Sequence, residues 1–206
     1  MVKATKDNRP FSSGVFDLEE FNIYTKVIDL PLDGIPTYLE EGINGVCTGG
    51  SALFNVFSNK RRVVKNDLIT IFPYQLASIT EISTDFAVIF FKVPKKLFMD
   101  TINGLGRLTL DYFFYMRKYY SSPLSEEEYK RFVHFCHILS CRVDLSCAFL
   151  RRESVMYLLR VYYWDLYVGY KSNPKAMASV KFVRKEKQVF EYCYFCNLYT
   201  SDAADE

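Results

Sequence analysis

Residues 46–91, VCTGGSALFNVFSNKRRVVKNDLITIFPYQLASITEISTDFAVIFF, decide the fold. Four segments in this stretch are rich in β-branched and aromatic residues, which favour β-strands. The predicted strands cover residues 52–57, 62–64, 68–72 and 86–91. Turn-forming residues separate them: 58–60, 65–67, Pro73 and 83–85. Short strands with tight connections leave no room for crossover helices, so the pattern predicts a small antiparallel β-barrel or sandwich.

Both faces of several predicted strands are apolar. In the first strand, for example, Phe54 and Val56 point to one side while Leu53 and Phe57 point to the other. A sheet of this kind must be covered twice, by its own interior and by packed helices. The sequence therefore predicts an α+β fold, a small barrel followed by two to four helices, and it does not tell which residues would line a ligand pocket.

The order of several short motifs resembles a known family. A Cys47-Thr48-x-Gly50 entry precedes a strand containing Asn55, and residues 66–73 (NDLITIFP) then precede Ser83-x-Asp85-Phe86. Over residues 24–195 this order resembles the N-terminal cupin-type sensor domain of AraC-family transcription regulators. The resemblance implies a barrel that binds a small-molecule effector or transmits a signal, and helices that form a homodimer. It also implies a separate C-terminal domain whose two helix-turn-helix units bind DNA.

Composition limits the function classes. The chain has 206 residues, 50% hydrophobic and 17% aromatic, enough for one substantial core. A formal net charge of +2 is too small to indicate a nucleic-acid surface. No apolar run is long enough to cross a membrane, so no membrane partner is expected. The polar start of the sequence, residues 1–14, lacks the apolar core of a signal peptide, which predicts a cytoplasmic protein with reduced cysteines.

The second half predicts helices. One begins at about residue 94 and is interrupted by residues 103–106, while residues 108–120 fit either a helix or an extended segment. Ser125 and Glu128 form a capping box, and Leu124 and Tyr129 have the spacing of a hydrophobic staple. The helix that begins there should end at about residue 141. The side chains that it should bury are those of Phe132, Cys136 and Leu139.

The next predicted helix, residues 146–170, is apolar on almost every side. Between Val155 and Val168 only Arg160 and Asp165 are charged. Such a helix must be covered nearly all round, by the sheet and by either a final helix over residues 177–196 or a second chain. The family resemblance favours a dimer interface here, and the contributing residues would be Leu158, Leu159 and Tyr162. The alternative is that all three belong to the core of a single chain.

Metal and catalytic sites have little support. His134, His137 and Cys141 share one helix stripe, but ligands on one helix rarely complete a tetrahedron. Cys193 and Cys196 have redox-motif spacing without the strand-to-helix context that activates a thiol, and Cys47 fits a small core residue. Catalytic cupins resemble one another in binding a metal through histidines on adjacent strands, whereas both histidines of this sequence are predicted on a helix. We expect no catalytic residues, no metal and no cofactor.

The predicted organisation has four parts: a polar segment (1–20), the barrel (21–93), a helical dimerisation region (94–196) and a tail (197–206). Residues 184–195 resemble the helix that leads toward the DNA-binding domain, which would have to follow residue 195. Residues 198–206 resemble either a translated transposon-derived adapter or a polar C-terminus. The function expected is the sensing and dimerisation part of an AraC-type regulator without its DNA reader. The alternatives are a freestanding cupin-like binding or interaction protein and a cofactor-free enzyme.

Overall fold

The computed structural model describes residues 21–105 and 108–172, which form an α+β fold. Within these ranges there are nine strands and four α-helices. The strands are β1 (Ile23–Tyr24), β2 (Thr37–Tyr38), β3 (Glu41–Gly49), β4 (Ser51–Val56), β5 (Asn59–Val64), β6 (Asp67–Ile71), β7 (Leu76–Thr80), β8 (Ala87–Pro94) and β9 (Ser121–Pro123). The helices are α1 (Lys95–Asn103), α2 (Leu110–Lys118), α3 (Glu126–Val143) and α4 (Ala148–Lys171).

The strands form two antiparallel sheets. One sheet has five strands in the order β1-β8-β3-β6-β9, and the other has four in the order β2-β7-β4-β5. The two sheets face each other without closing into one hydrogen-bonded cylinder, so the predicted barrel takes the form of two open sheets. Strand β9 comes from the helical half of the chain and pairs with β6, with Leu68 opposite Ser122.

The core lies in two layers, one on each side of the five-stranded sheet. Along β6, Ile69 and Ile71 contact the four-stranded sheet, whereas Leu68 on the other face contacts the helices. Strand β8 alternates in the same way, with Phe90 between the sheets and Phe91 under the helices. All five residues of β6 are buried. The prediction of a sheet covered on both faces is thereby confirmed for the five-stranded sheet.

The four predicted strands are confirmed as β4, β5, β6 and β8, with ends that differ by up to three residues. Strand β5 begins at Asn59, inside the predicted turn, because Phe57 adopts a φ of 53° and the chain reverses within two residues. Strands β3 and β7 were not predicted, and neither were the short strands β1, β2 and β9. The glycines of β3 weaken the local signal for a strand, and β7 is short and follows closely on Pro73.

The helices agree with the predicted starts. Segment 108–120, which fitted two conformations, contains α2, and α1 ends just before Gly104. At the start of α3, the Ser125 hydroxyl accepts from the Glu128 N–H, and the Glu128 carboxylate accepts from the Ser125 N–H. The three side chains predicted to be buried in α3 are its buried residues. The predicted segment 1–20, the final helix 177–196 and the tail lie outside the described residues.

Candidate functional site

The space between the two sheets is filled by apolar side chains. Cys47, Phe54, Ile71 and Phe90 are fully buried there. The phenol of Tyr120 enters the same layer and donates to the carbonyl oxygens of Phe54 and Asn59, each at 3.0 Å. This phenol therefore ties the segment after α2 to the strands of the opposite sheet.

The helix-facing side of the five-stranded sheet carries two buried polar residues. Asn44 of β3 and Thr70 of β6 are directly opposite each other in the strand register. Their partners are consecutive tyrosines of α4. The Asn44 amide nitrogen Nδ2 donates to the Tyr163 hydroxyl at 3.1 Å, and the Thr70 hydroxyl lies 3.1 Å from that of Tyr162. One cross-strand pair thus fixes the position of α4 on the sheet.

A third tyrosine, Tyr112 of α2, completes this group. Its ring makes edge contacts with Tyr167 at 5.3 Å, and its hydroxyl is buried without a hydrogen-bond partner among the described residues. The amide oxygen Oδ1 of Asn44 is also buried and unpartnered there. We call Asn44, Thr70, Tyr112, Tyr162 and Tyr163 the helix-facing polar cluster. Each unpaired group costs free energy in such a setting.

Burial keeps these tyrosines protonated. It raises the pKa of Tyr112, Tyr162 and Tyr163 well above the ordinary 10.0, and neighbouring tyrosines raise those of Tyr112 and Tyr163 further. All three hydroxyls are protonated at physiological pH, as an ordinary tyrosine is, and the Tyr163 hydroxyl accepts the hydrogen bond from Asn44. With the amide oxygen of Asn44 as acceptor, the cluster can form hydrogen bonds but offers no ionised group for chemistry.

An aromatic shell surrounds the cluster. The ring of Phe72 lies at centroid distances of 5.0 Å from Phe98, 5.8 Å from Phe113 and 6.0 Å from Tyr163. Rings at these distances and tilts add packing energy beyond the area that they bury. The polar cluster therefore lies in an apolar setting, where hydrogen bonds specify one position of the helix.

The structure places the three residues predicted for a dimer interface on the inner side of α4. Leu159 is 0% exposed and Tyr162 is 7% exposed, and Leu158 is partly buried against the same core. Leu159 and Tyr162 have almost no surface left for a second chain. Their role in a dimer stays a prediction, and within the described chain their contacts are intrachain.

The opposite side of α4 is exposed and apolar, which the sequence analysis missed. The exposed residues on one stripe are Leu150 (53%), Tyr157 (60%), Val161 (58%), Trp164 (44%) and Val168 (45%). We call these five residues the α4 outer stripe. Their alternating spacing of three and four residues from 157 to 168 was a signal in the sequence, but it was hidden because the inner side of the helix is also apolar.

The residues considered for metal or thiol chemistry do not form a centre in the described part. His134, His137 and Cys141 all lie on exposed positions of α3, and no group of three potential ligands occurs in residues 21–105 and 108–172. The Cys47 thiol donates to the Gly49 carbonyl, and burial raises its pKa. A protonated buried thiol is a poor nucleophile. Cys193 and Cys196 lie outside the described residues.

None of the described helices combines the length and the apolar character that a membrane span requires.

Comparison with known proteins gave structural matches only. No family profile and no curated protein sequence matches the chain. Among solved structures, an apo variant of ToxT from Vibrio cholerae matches with 11% identity, covering 84% of this chain and 63% of that one, at a TM-score of 0.46. ToxT with bound unsaturated fatty acid matches with 9% identity, covering 74% and 54%, at 0.42. The AraC-like transcriptional activator CuxR matches with 10% identity, covering 68% and 46%, at 0.32.

The chain thus spans about three fifths of the ToxT chain with the highest of these scores. At these identities and TM-scores the matches carry no argument about function, which has to rest on the residues themselves.

Proposed function

We propose that this chain is the effector-sensing and dimerisation part of an AraC-type transcription regulator. The observation that carries the proposal is the pair of buried hydrogen bonds from Asn44 and Thr70 to Tyr163 and Tyr162. They make the position of α4 dependent on the position of β3 and β6. The order of the sequence motifs, which resembles that of AraC-family sensor domains, supports the choice of family.

The mechanism proposed is a population shift. An effector that binds the sheets more tightly in one arrangement of α4 than in another would favour that arrangement. Asn44 and Thr70 lie on the sheet, while Tyr162 and Tyr163 lie on the helix. A shift of α4 relative to the sheet would therefore change or break these hydrogen bonds. In a homodimer, a moved α4 would change the relative placement of two DNA readers.

The proposal includes no catalytic activity and a cytoplasmic location. The tyrosine hydroxyls of the cluster are held protonated by burial, and Cys47 is a buried thiol with a raised pKa. Neither group is suited to nucleophilic attack. A cofactor-free enzyme would have to show turnover that is lost when a residue of the cluster is changed.

The first test measures ligand binding and its effect on α4. Sugars, sterol acids, fatty acids and aromatic acids are screened by thermal unfolding of the whole chain. A ligand present at 100 times its dissociation constant adds about 2.7 kcal/mol to the free energy of unfolding. For any stabilising compound, amide hydrogen exchange is then measured along α4. We expect the compound to alter exchange in α4, and less so in the Tyr163→Phe variant.

The outcomes separate the candidate functions. A compound that stabilises the chain and leaves α4 exchange unchanged favours the freestanding cupin-like binding protein. If no compound in the panel binds, small-molecule sensing by these classes is wrong and a protein partner becomes the favoured signal. Sequencing of the native locus tests the regulator assignment separately: a reading frame that also encodes two helix-turn-helix units supports it.

A further inference from the structure

Arg61 lies on the inner face of an edge strand. It is directly opposite Phe54 in the pairing of β4 with β5, and side chains that are opposite each other share one face of a sheet. Phe54 on that face is fully buried between the two sheets, and so is Val63, two residues after Arg61. Strand β5 is the last strand of the four-stranded sheet. The half-buried Arg61 side chain therefore lies at the open edge of the space between the sheets.

Two tyrosines are within electrostatic reach of the Arg61 guanidinium group. Burial raises the pKa of Tyr120 to about 12 and raises that of Tyr115 above 10.0, and the positive charge of Arg61 lowers both in part. The Tyr120 hydroxyl already donates to two carbonyl oxygens. The Tyr115 hydroxyl has no hydrogen-bond partner among the described residues, so it can donate to a ligand beside Arg61.

The charge of Arg61 is not neutralised by an ion pair. Its neighbour Arg62, on the outer face of the strand, pairs with Glu81. No side chain or carbonyl oxygen in residues 21–105 and 108–172 accepts a hydrogen bond from the Arg61 guanidinium group. A second guanidinium group adds positive charge at the same hairpin, because the Arg117 Cζ lies 3.3 Å from the centre of the Phe57 ring. A half-buried cation without an anionic partner favours the binding of an anion.

Aromatic rings border this corner and connect it to α4. The ring of Tyr115 lies 4.7 Å from that of Tyr119 and 4.9 Å from that of Tyr170, measured between centroids. Tyr170 belongs to the last turn of α4, which ends at Lys171. A ligand that contacts Arg61 and Tyr115 is therefore separated from the end of α4 by one ring contact.

We propose that Arg61 and Tyr115 form an anion site, in which the guanidinium group binds the carboxylate or phosphate group of a small molecule with an aromatic body. The Tyr115 hydroxyl donates to the same group, and the rings around Tyr115 contact the body of the ligand. An arginine fork matches two oxygens of either anion. This inference rests on the proposed effector-sensing function and names the chemical class of the effector.

The first test measures binding of benzoate, phenyl phosphate and neutral benzamide to the whole chain by calorimetry at constant ionic strength. We expect at least one of the two anions to bind about 10-fold or more tightly than benzamide, because benzamide lacks the charge that Arg61 recognises. The tighter of the two anions identifies the group as carboxylate or phosphate. Benzamide binding as tightly as both anions, or no binding of either anion, would overturn the proposal.

Inorganic phosphate and acetate test the part played by the rings. Both carry the anionic group without an aromatic body, and we expect each to bind several-fold more weakly than its aromatic counterpart. Equal affinities for the small and the aromatic anions would contradict the contact with the rings around Tyr115.

Substitutions locate the site. Arg61→Gln should weaken binding of the preferred anion by about 10-fold or more, and Tyr115→Phe should weaken it by several-fold. The matched control is Arg62→Gln, which changes the neighbouring arginine on the outer face and should keep the affinity of wild type. Circular dichroism checks that all three variants fold. Unchanged affinity in Arg61→Gln would overturn the proposal, and self-association of that variant would then assign Arg61 to protection of the strand edge.

Nuclear magnetic resonance gives a readout on the unaltered protein. The Nε–H resonance of Arg61 is assigned by its disappearance in Arg61→Lys. During titration of wild type with the preferred anion, we expect this resonance to shift and to saturate with the dissociation constant from calorimetry. The Arg62 resonance is the internal control. A ligand that binds without shifting the Arg61 resonance occupies another site and rejects this one.

Failure of the site is distinguishable from failure of the proposed function. Hydrogen exchange along α4 is measured with and without the preferred anion. An anion that binds at Arg61 and leaves exchange in α4 unchanged supports the site and counts against sensing through α4. A compound that alters exchange in α4 of wild type and of Arg61→Gln equally supports sensing and rejects the Arg61 site.

Discussion

Asn44 and Tyr163 are joined by a buried hydrogen bond of 3.1 Å between the amide nitrogen and the phenol oxygen, although they are 119 residues apart in the chain. The bond connects the middle of β3 to the middle of α4. Since neither side chain is accessible to water, its loss is not compensated by hydration. It is the strongest constraint that we identify on how the helix lies on the sheet.

Replacing Tyr163 by Phe tests this constraint. The substitution removes one oxygen and leaves the Asn44 amide buried without a partner on either end. We expect the free energy of unfolding to fall by about 1–3 kcal/mol, measured by urea denaturation. The control is Tyr157→Phe, whose ring is 60% exposed, and it should change stability by less than about 0.5 kcal/mol. Equal effects of the two substitutions would contradict the role of the bond.

The bond between Thr70 and Tyr162 permits a double-mutant cycle. Thr70→Val and Tyr162→Phe each leave one hydroxyl buried and unpaired, whereas the double variant removes both. The double variant should therefore lose less stability than the sum of the single variants, by about 1 kcal/mol. Urea denaturation of the four proteins gives this coupling. Additive losses would mean that the two hydroxyls do not interact.

Alkaline pH should unfold the protein through its tyrosines. Burial raises the pKa of Tyr120 from 10.0 to about 12, and burial likewise raises those of Tyr112, Tyr162 and Tyr163. The folded chain then keeps protons that the unfolded chain loses near pH 10. The resulting contribution to stability is complete below about pH 10 and declines as the pH rises toward 12.

Urea denaturation at pH 8, 9, 10 and 11, together with tyrosinate absorbance, measures this decline. The Tyr120→Phe variant is the control, because it lacks one of the shifted groups and should lose stability less steeply with pH. A wild-type protein equally stable at pH 8 and pH 11 would show that these phenols are not buried as described.

The capping box of α3 gives a local prediction. Ser125→Ala removes the hydroxyl that accepts from the Glu128 N–H, and it should lower the free energy of unfolding by about 1 kcal/mol. The matched control is Ser122→Ala on β9, an exposed serine that is outside the cap. A result in which both variants match wild type within error would contradict the cap.

Two glycines should respond to alanine in opposite directions. A methyl group at Gly45 would lie 2.5 Å from the Phe90 β-carbon and 2.7 Å from the Ile89 carbonyl oxygen, so Gly45→Ala should cost about 1–3 kcal/mol or more. A methyl group at Gly169 meets no atom within 4 Å, and Gly169→Ala should stabilise α4 by about 0.5–1 kcal/mol. Thermal denaturation compares them. A stable Gly45→Ala protein would contradict the close approach of β3 and β8.

The parts of the fold that sequence predicted are those encoded locally. The Ser125 and Glu128 cap depends on four consecutive residues, and the strand containing Phe54 depends on β-branched and aromatic neighbours. Strand β3 could not be recognised in this way, because Gly45 weakens a strand considered alone. Its place in the sheet depends on pairing with β8, where Gly45 lies opposite Phe90, a residue 45 positions later in the chain. Pairing across such a distance leaves no trace in a local window.

The candidate site escaped prediction for a related reason. Helix α4 is apolar on its inner side, which contains Tyr162, and on its outer side, which contains Val161. The sequence periodicity of one side is therefore hidden by that of the other. Only the structure separates the face that contacts the sheet from the face that is exposed. Asn44 and Thr70 were likewise unremarkable as polar residues in strands until the register placed them side by side under two tyrosines.

The contact between β3 and α4 also has a consequence for synthesis on the ribosome. The five-stranded sheet has received its strand β8 by Pro94, but Asn44 lacks its partner on α4 until Tyr163 has been made, 69 residues later. At about 5–20 residues per second this takes roughly 3–14 s. A nascent chain whose sheet is only partly covered during that period is a substrate for chaperones, and variants that weaken α4 docking should lower the yield of folded protein in cells more than their stability in the test tube suggests.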